Sequence, residues 1–87
     1  MSSLRIQRAG AEDALAIAPL FNLYRQFYQQ APDEEAAWHF ISERLRKNES
    51  VIFIALKDER AVGFTQLYPI FSSVGMKRCW LLNDLFV

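Results

Sequence analysis

Cysteine is nearly absent from this sequence, which carries Cys79 alone among its 87 residues. A single cysteine excludes an internal disulfide, so nothing indicates secretion, and we interpret Cys79 as a small buried hydrophobic residue. Segment 1–8 is too polar for a signal peptide, and the longest apolar run, 51–56, is far shorter than a membrane span. We therefore expect a soluble, cytoplasmic protein that does not enter a membrane.

Net charge is also absent, because ten Lys and Arg residues balance ten Asp and Glu residues. A surface that follows nucleic-acid phosphates needs an excess of basic residues, so the sequence gives no case for nucleic-acid binding. Histidine occurs once, as His39, and no set of ligands accompanies it, so we expect no metal site. A chain that lacks net charge and is rich in apolar residues is prone to self-association.

Apolar residues are abundant, at 52% of the chain, and aromatic residues account for 14%. This content excludes the kind of disorder that comes from low hydrophobicity. A length of 87 residues suffices for one small domain. We therefore predict a single folded unit of modest stability, because small domains bury a limited share of their surface.

Hydrophobic periodicity predicts one strand and two helices in the first half of the chain. Apolar and polar residues alternate at 4–8, and helical spacing follows over 12–28 and 33–47. Pro19 lies within the first helix, where we expect a kink or a short break rather than the end of the helix. Asn48 is suited to a left-handed conformation after the second helix.

The second half of the chain predicts three consecutive strands. They are expected at 50–57, 61–71 and 76–87, and the second of them is expected to end near Pro69 and the loop 72–75. Short polar turns between them favour antiparallel pairing. The predicted fold class is therefore α+β, with strand, helix and helix followed by a three-stranded antiparallel meander.

Three stretches of the sequence carry a resemblance to a known family. They are IQRAGAEDALAIAPLFNLYRQFY, a first strand and kinked helix; VIFIALKDERAVGFTQLYP, a central hairpin; and WLLNDLFV, a fourth strand. Together they resemble the N-terminal half of the GNAT superfamily, the Gcn5-related N-acetyltransferases, and the Asp-Leu-Phe-Val ending is the most specific part. The resemblance implies that residues 1–87 are the N-terminal part of a GNAT acetyltransferase domain.

The same resemblance implies transfer of an acetyl group from acetyl-CoA to the primary amine of a small molecule or an amino-acid-like acceptor. In the family, acetyl-CoA lies beside the fourth strand, so backbone groups of Leu85, Phe86 and Val87 would pair with it. A glycine-rich loop that binds the pyrophosphate follows that strand. None of the three glycines here forms a G-x-G pattern. We therefore interpret the pyrophosphate half as absent, and we expect the chain alone to be inactive.

Asn83 and Asp84 stand where many members of the family place an acidic residue that accepts the proton of the amine, often through water. An amine arrives mostly as ammonium and must lose a proton before it attacks a thioester. Neighbouring residues of a strand point to opposite faces, so we expect at most one of the two to face the cleft. The alternative for each is a structural hydrogen bond to a neighbouring loop.

The resemblance also implies that the kinked helix borders the acceptor-substrate cleft, which places Tyr24, Arg25 and Tyr28 there. A phenol can contact or orient an amine, and the alternative for Tyr28 is an aromatic stripe packed on the sheet. Gln66 and Tyr68 share one face of their predicted strand. These two residues either line the cleft or cap the edge of the core.

The last predicted strand, 76–87, is apolar on both faces. Strict alternation gives Trp80, Leu82 and Phe86 on one face and Leu81, Leu85 and Val87 on the other. An apolar strand with no following strand is a template for another strand, so we predict a homodimer or pairing with a complementary half. This pattern supports a second hypothesis, that the chain is a truncated, non-catalytic GNAT homologue that self-associates or complements another half.

Overall fold

The computed structural model describes residues 3–87, which form a four-stranded antiparallel sheet with two helices packed on one of its faces. In chain order the elements are β1 (Leu4–Arg8), a 3-10 turn (Ala11–Asp13), α1 (Ala14–Phe27), α2 (Glu34–Arg46), β2 (Val51–Lys57), β3 (Arg60–Ser72) and β4 (Lys77–Phe86). The predicted α+β fold class and order of elements are confirmed. Neither helix has the length and apolar character needed to cross a membrane.

α1 begins after a turn that the side chain of Asp13 stabilises. The Gly10 N–H donates to Asp13 Oδ2 at 2.8 Å, and the Asp13 N–H donates to the Gly10 carbonyl at 2.9 Å. The helix then continues through Pro19, so the structure contains no break there. Apolar residues recur every three or four positions, which buries Ile17 and Phe21 in the core.

Capping fixes both ends of α2. Asp33 is the N-cap, and its Oδ1 accepts the N–H of Ala36 at 3.1 Å, an N–H that would otherwise lack a partner in the first turn. At the other end Asn48 has φ of 55°, which confirms the predicted left-handed conformation. The Glu49 N–H donates to the Arg44 carbonyl at 2.9 Å and closes the last turn.

The strands lie in the order β1-β2-β3-β4, and each is antiparallel to the next. β3 is paired with β2 as far as Leu67 and with β4 as far as Ser72. The predicted strand at 61–71 is therefore confirmed to within one residue at each end, because β3 continues through Pro69 to Ser72, where the loop was expected. Proline is tolerated at this position because that part of β3 pairs with β4 alone and has no ladder with β2 to interrupt.

The core lies between the helices and one face of the sheet. Ile17, Ile41 and Ile52 are 0% exposed, and Ile54 is 1% exposed. Phe64 of β3, at 3%, extends this layer toward β4. Because β2 and β3 are the inner strands, their helix-facing side chains are covered both by neighbouring strands and by α1 and α2.

A β-bulge interrupts β4. Gln66 of β3 pairs with Asp84, whereas Leu67 pairs with Leu82, so Asn83 is an extra residue that has no partner on β3. A bulge of this kind places two residues of one strand opposite one residue of its neighbour. The side chains before and after Asn83 therefore alternate between the two faces of the sheet in opposite phase.

After the bulge, each residue of β4 lies on the face of the sheet opposite to the one that strict alternation predicts. Strict alternation placed Phe86 with Trp80 and Leu82, but Phe86 lies on the helix side, paired with Phe64. Leu85 instead joins Trp80 and Leu82 on the other face. This part of the prediction is wrong because one inserted residue shifts the alternation by one.

The face of the sheet opposite the helices is apolar, and no element within residues 3–87 covers it. Phe53 pairs with Thr65 and Thr65 with Leu85, so these three residues share that face with Trp80 and Leu82. Leu82 is 57% exposed and Leu85 is 63% exposed. We call this surface the open face. β4 borders it at the edge of the sheet, as the sequence predicted.

β3 and β4 approach closely where β4 ends. A Cβ built on Gly63 would lie 2.9 Å from the carbonyl oxygen of Phe86, a separation that real Cβ atoms essentially never show. The φ of Gly63 is not positive, so the position demands space rather than unusual backbone freedom. The glycine therefore sets how near the end of β4 comes to β3.

We predict that Gly63→Ala displaces the end of β4 and lowers the free energy of unfolding by about 1–3 kcal/mol, as when a group is inserted into a packed site. Urea unfolding measures the change. Gly75→Ala is the matched control, because its Cβ would meet the Ser72 hydroxyl at 3.2 Å in an exposed turn. We expect a change below about 0.5 kcal/mol for the control. Equal losses in the two variants would contradict the prediction.

Candidate active site

The side chain of Asp84 is buried where β4 meets the helices. The residue is 7% exposed, although most residues of β4 are exposed. Asn83 Nδ2 donates to Asp84 Oδ1 at 3.2 Å. Asn83 is itself exposed, so of these two side chains only that of Asp84 is enclosed.

Hydrogen bonds from the interior hold the other oxygen of Asp84. Gln66 Nε2 donates to Asp84 Oδ2 at 2.9 Å, and Ser50 Oγ donates to Gln66 Oε1 at 2.7 Å. Thr65 Oγ1 donates to the backbone carbonyl of Asp84 at 2.8 Å. Within residues 3–87, every buried side-chain nitrogen and oxygen has a hydrogen-bond partner, as the burial of polar groups requires.

Tyr24 approaches Asp84 from α1. Burial raises the pKa of the Tyr24 phenol from 10.0 to about 12, and a hydrogen bond to Asp84, the charge of Asp84, Tyr28 and Tyr68 act in the same direction. The phenol is therefore protonated at neutral pH and available as a donor. Because folding favours the protonated phenol, its contribution to stability is complete below pH 10 and is lost as the pH rises from 10 to about 12.

The remaining predicted substrate contacts lie at different depths around Tyr24. Arg25 is half-buried, and its Nη1 donates at 3.2 Å to a carbonyl of the loop between the helices. Tyr28 is 61% exposed, with its ring edge against Tyr24 at a centroid distance of 5.3 Å. Tyr68 is half-buried, and burial, followed by the charge of Asp84, raises its pKa.

Gln66 lies in the core rather than on a cleft. Its exposure is 0% and both ends of its amide are bonded, so it has no free group with which to contact a substrate. Sequence reasoning missed its partner Ser50. The available signal was the period of two, which puts Ser50 on the same inward face as Ile52 and Ile54.

A pocket of about 400 Å³ opens between the helices at Asp84. Its lining residues are Phe21, Tyr24, Arg25, Ala36, Ala37, Phe40 and Asp84. The rings of Phe21 and Phe40 are stacked, with centroids 5.6 Å apart and planes 8° apart. Aromatic walls around a single carboxylate suit a small organic cation such as an ammonium group. Residues 3–87 contain no cluster of three or more His, Cys, Asp or Glu placed to hold a metal ion.

The end of β4 is open beside this pocket. No strand within residues 3–87 lies along its outer edge, and an apolar recess of about 190 Å³ adjoins it, with Gly63, Leu85 and Val87 in its lining. The ring of Phe86 packs edge-on to Tyr24 at 5.7 Å, which connects the strand end to the wall of the pocket. An extended ligand can therefore lie along this edge and reach the region of Asp84.

Comparison with known proteins finds acetyltransferases. The chain is 57% identical over 84 residues to the uncharacterized N-acetyltransferase YhfO of Bacillus subtilis, a match that covers 97% of this chain and 56% of YhfO. It is 46% identical over 72 residues to a probable acetyltransferase of Haemophilus influenzae, covering 82% of this chain and 49% of that protein. The chain thus spans about half the length of the curated relatives it matches. A scan against models of protein families gave no match.

Solved structures share the fold. The crystal structure of a probable acetyltransferase matches with a TM-score of 0.91 and 48% identity, over 95% of this chain and 56% of that one. A "predicted acetyltransferase" of Clostridium acetobutylicum, crystallised with acetyl-CoA, has a TM-score of 0.75 at 11% identity, over 97% of this chain and 59% of that one. The second likeness concerns the fold alone. Close sequence similarity and the shared fold together show that the chain has the GNAT fold of these acetyltransferases and matches about half of their length.

Proposed function

We propose that this chain is part of an N-acetyltransferase that transfers the acetyl group of acetyl-CoA to the primary amine of a small molecule or an amino-acid-like acceptor. The observation that carries the proposal is the buried Asp84 carboxylate, which meets an aromatic pocket beside the open edge of β4. The names of the relatives, N-acetyltransferase and probable acetyltransferase, support the reaction class. A cytoplasmic location is part of the same proposal.

Asp84 is the proposed proton acceptor. An amine is mostly ammonium at neutral pH, and the carboxylate takes its proton directly or through a water molecule. The nitrogen lone pair is then free to attack the thioester carbonyl, and the C–S bond breaks to release coenzyme A as a thiolate that takes up a proton. Asn83 donates a hydrogen bond to the carboxylate, and the phenol of Tyr24 lines the same pocket. The faces of Phe21 and Phe40 stabilise the cation before it loses the proton.

The proposed contacts to the rest of the acceptor come from α1 and β3. Tyr24 and Arg25 line the pocket, so their phenol and guanidinium groups are placed to orient polar groups of the acceptor. Tyr28 and Tyr68 lie next to Tyr24 and Asp84 and extend this surface outward. The acceptor therefore meets mainly aromatic and hydrogen-bonding groups, which suits a small amine that carries other polar substituents.

Acetyl-CoA supplies the acetyl group as an activated thioester. The end of β4 fits it, because the open edge offers backbone groups of Leu85, Phe86 and Val87 and the adjacent recess is apolar. The three glycines of the sequence form no G-x-G loop for the pyrophosphate. We therefore propose that these residues supply the acceptor side and one edge of the acetyl-CoA site, and that the 87 residues alone are inactive.

Asp84→Asn, made in the complete protein, tests the proposed base. We expect kcat to fall by about 10²–10⁴-fold, the usual contribution of a general base, with little change in the KM for acetyl-CoA. Asn83→Ala should lower kcat less, because it removes one hydrogen bond to the carboxylate. Release of the coenzyme A thiol, measured with a panel of amines over a range of pH, gives the rates.

Glu35→Gln is the matched control for Asp84→Asn, because it neutralises an exposed carboxylate on α2 away from the pocket. We expect its kcat to equal that of the unchanged protein. If Asp84→Asn keeps full turnover across the pH range, Asp84 is not the base. If the unchanged protein transfers acetyl groups to no amine in the panel, the proposed activity itself is wrong.

Residues 1–87 by themselves should bind acetyl-CoA weakly. The end of β4 offers a few backbone hydrogen bonds, each worth about 0.5–1.5 kcal/mol net, which corresponds to a dissociation constant above about 100 µM. Calorimetric titration of the 87-residue chain measures it. A micromolar or tighter dissociation constant would contradict this prediction and would mean that the pyrophosphate is held by residues we have not identified.

A second candidate function is a non-catalytic module that associates through β4. The open face and the unpaired edge of β4 favour it, because together they present apolar side chains and free backbone groups to another chain. The partner would be a second copy of this chain or a complementary half. This candidate and the enzyme differ in one respect, because only the enzyme needs Asp84.

We predict that the 87-residue chain pairs through β4, most simply as a two-fold dimer. Leu82→Lys, at a position 57% exposed on the open face beside the edge, should weaken this association because it places a charge in the interface. Leu15→Lys, at a position 72% exposed on α1, is the control and should leave association unchanged. Sedimentation at tens of micromolar measures the oligomeric state. A monodisperse monomer of the unchanged chain would contradict the prediction.

A further inference from the structure

Gln66 is an unusual member of the core. The other large side chains with less than 2% exposure are isoleucines, at positions 17, 41, 52 and 54. An apolar side chain of similar volume would fill the same space without a polar group to satisfy. Burying an amide without hydrogen bonds costs several kcal/mol, so its retention in the core requires partners for both of its ends. Those partners are Ser50 and Asp84.

The direction of the hydrogen bonds fixes the orientation of the amide. The hydroxyl of Ser50 donates to Gln66 Oε1 at 2.7 Å, so the NH₂ group of Gln66 is the end that faces Asp84. Ser50 is itself 5% exposed and immediately precedes β2. Gln66 lies on β3 between Ile52 and Asp84, its partners in the two neighbouring strands. The residue that donates to Asp84 therefore lies on a strand that is paired with a neighbouring strand on each side.

We propose that Gln66 is a positioning residue, which holds Oδ2 of Asp84 from the interior, so that Oδ1, which accepts one hydrogen bond from Asn83, is the oxygen that also accepts the proton. This inference rests on the proposed role of Asp84 as the base. Without the bond from Gln66, the carboxylate is free to rotate about its side-chain torsions and to turn away from Tyr24. Asp84 directly follows the unpaired residue of the bulge, and the bond from Gln66 ties its side chain to the inner strand β3.

A neutral donor suits this position better than a charged one. Lysine or arginine in place of Gln66 would form an ion pair with Asp84, and the positive charge would compete with the proton that the base must accept. Glutamate would place a second negative charge beside the first in a buried site. Glutamine donates one hydrogen bond and adds no net charge, so it orients the carboxylate without forming an ion pair with it.

Titration of Tyr24 reports the position of Asp84 without any assay of activity. Its pKa is raised by burial first and then by Asp84, and the other groups that act on it are Tyr28 on its own helix and Tyr68 on β3. NMR of ring-labelled tyrosine resolves the three tyrosines of the chain. In Asp84→Asn we expect the pKa of Tyr24 to fall from about 12 toward 10, while burial keeps it above 10.

If Gln66 positions Asp84, Gln66→Met should lower the pKa of Tyr24 in the same direction as Asp84→Asn, although the carboxylate is still present. Met has nearly the same length and volume and cannot donate. In the double variant with Asp84→Asn, Gln66→Met should cause no further shift, because it acts only through Asp84. Thr65→Val is the control: it removes the bond to the backbone carbonyl of Asp84 and should leave the Tyr24 titration unchanged.

Ser50→Ala gives the same test with a smaller perturbation and decides the question if Gln66→Met does not fold. It removes the bond that orients the Gln66 amide, so we expect a smaller fall of the Tyr24 pKa. An unchanged Tyr24 pKa in Ser50→Ala and in folded Gln66→Met would overturn the inference, whatever the change in stability. If Tyr24 responds as expected but Asp84→Asn retains full turnover, the positioning stands and the proposed base is wrong.

Discussion

The burial of one carboxylate constrains much of this half-domain. Asp84 is 7% exposed, and removing a carboxylate from water costs several kcal/mol unless hydrogen bonds replace the lost hydration. Two side chains meet this requirement from two directions: Gln66 from the inner strand β3 and Asn83 from the bulge. The polar pair inside an otherwise isoleucine-rich core and the irregularity of β4 both follow from the need to supply those donors.

The same helices build the core and the proposed site. Ile17 of α1 and Ile41 of α2 bury their side chains against the sheet. Phe21, one turn after Ile17, and Phe40, next to Ile41, form the aromatic wall of the pocket. Phe21 also contacts Phe64 edge-on at 6.1 Å, which ties that wall to β3. The pocket therefore needs no separate scaffold, because its position is fixed by the packing that stabilises the fold.

Much of the fold was predictable because its signals are local. Acidic residues at the start of α2, Asn48 after its end and the apolar, β-rich run of β2 each depend on neighbours a few positions away, and the structure confirms these elements. The reason that Pro69 is tolerated inside β3 was not predictable in this way. It depends on which side of the strand is paired, and that is a property of the sheet rather than of the segment.

The site was less predictable for the same reason. Asp84 was identified by resemblance, but its environment depends on a bulge whose existence shows only in the pairing of β3 with β4. Strict alternation consequently misplaced Leu85 and Phe86. The sequence did not show whether the amide of Gln66 points into the core or to a cleft, because the core and the cleft would lie on the same face of its strand.

The bulge also affects how related sequences should be compared. Asn83 is one residue without a partner, so a homologue that has or lacks a residue at this point differs by one letter, yet the side chains beyond it exchange the helix side for the open face. A gap placed two or three positions away in an alignment would equate an inward residue with an outward one. For this segment, equivalence is defined by the hydrogen-bond register with β3, and positional conservation becomes meaningful only after the strands have been superposed.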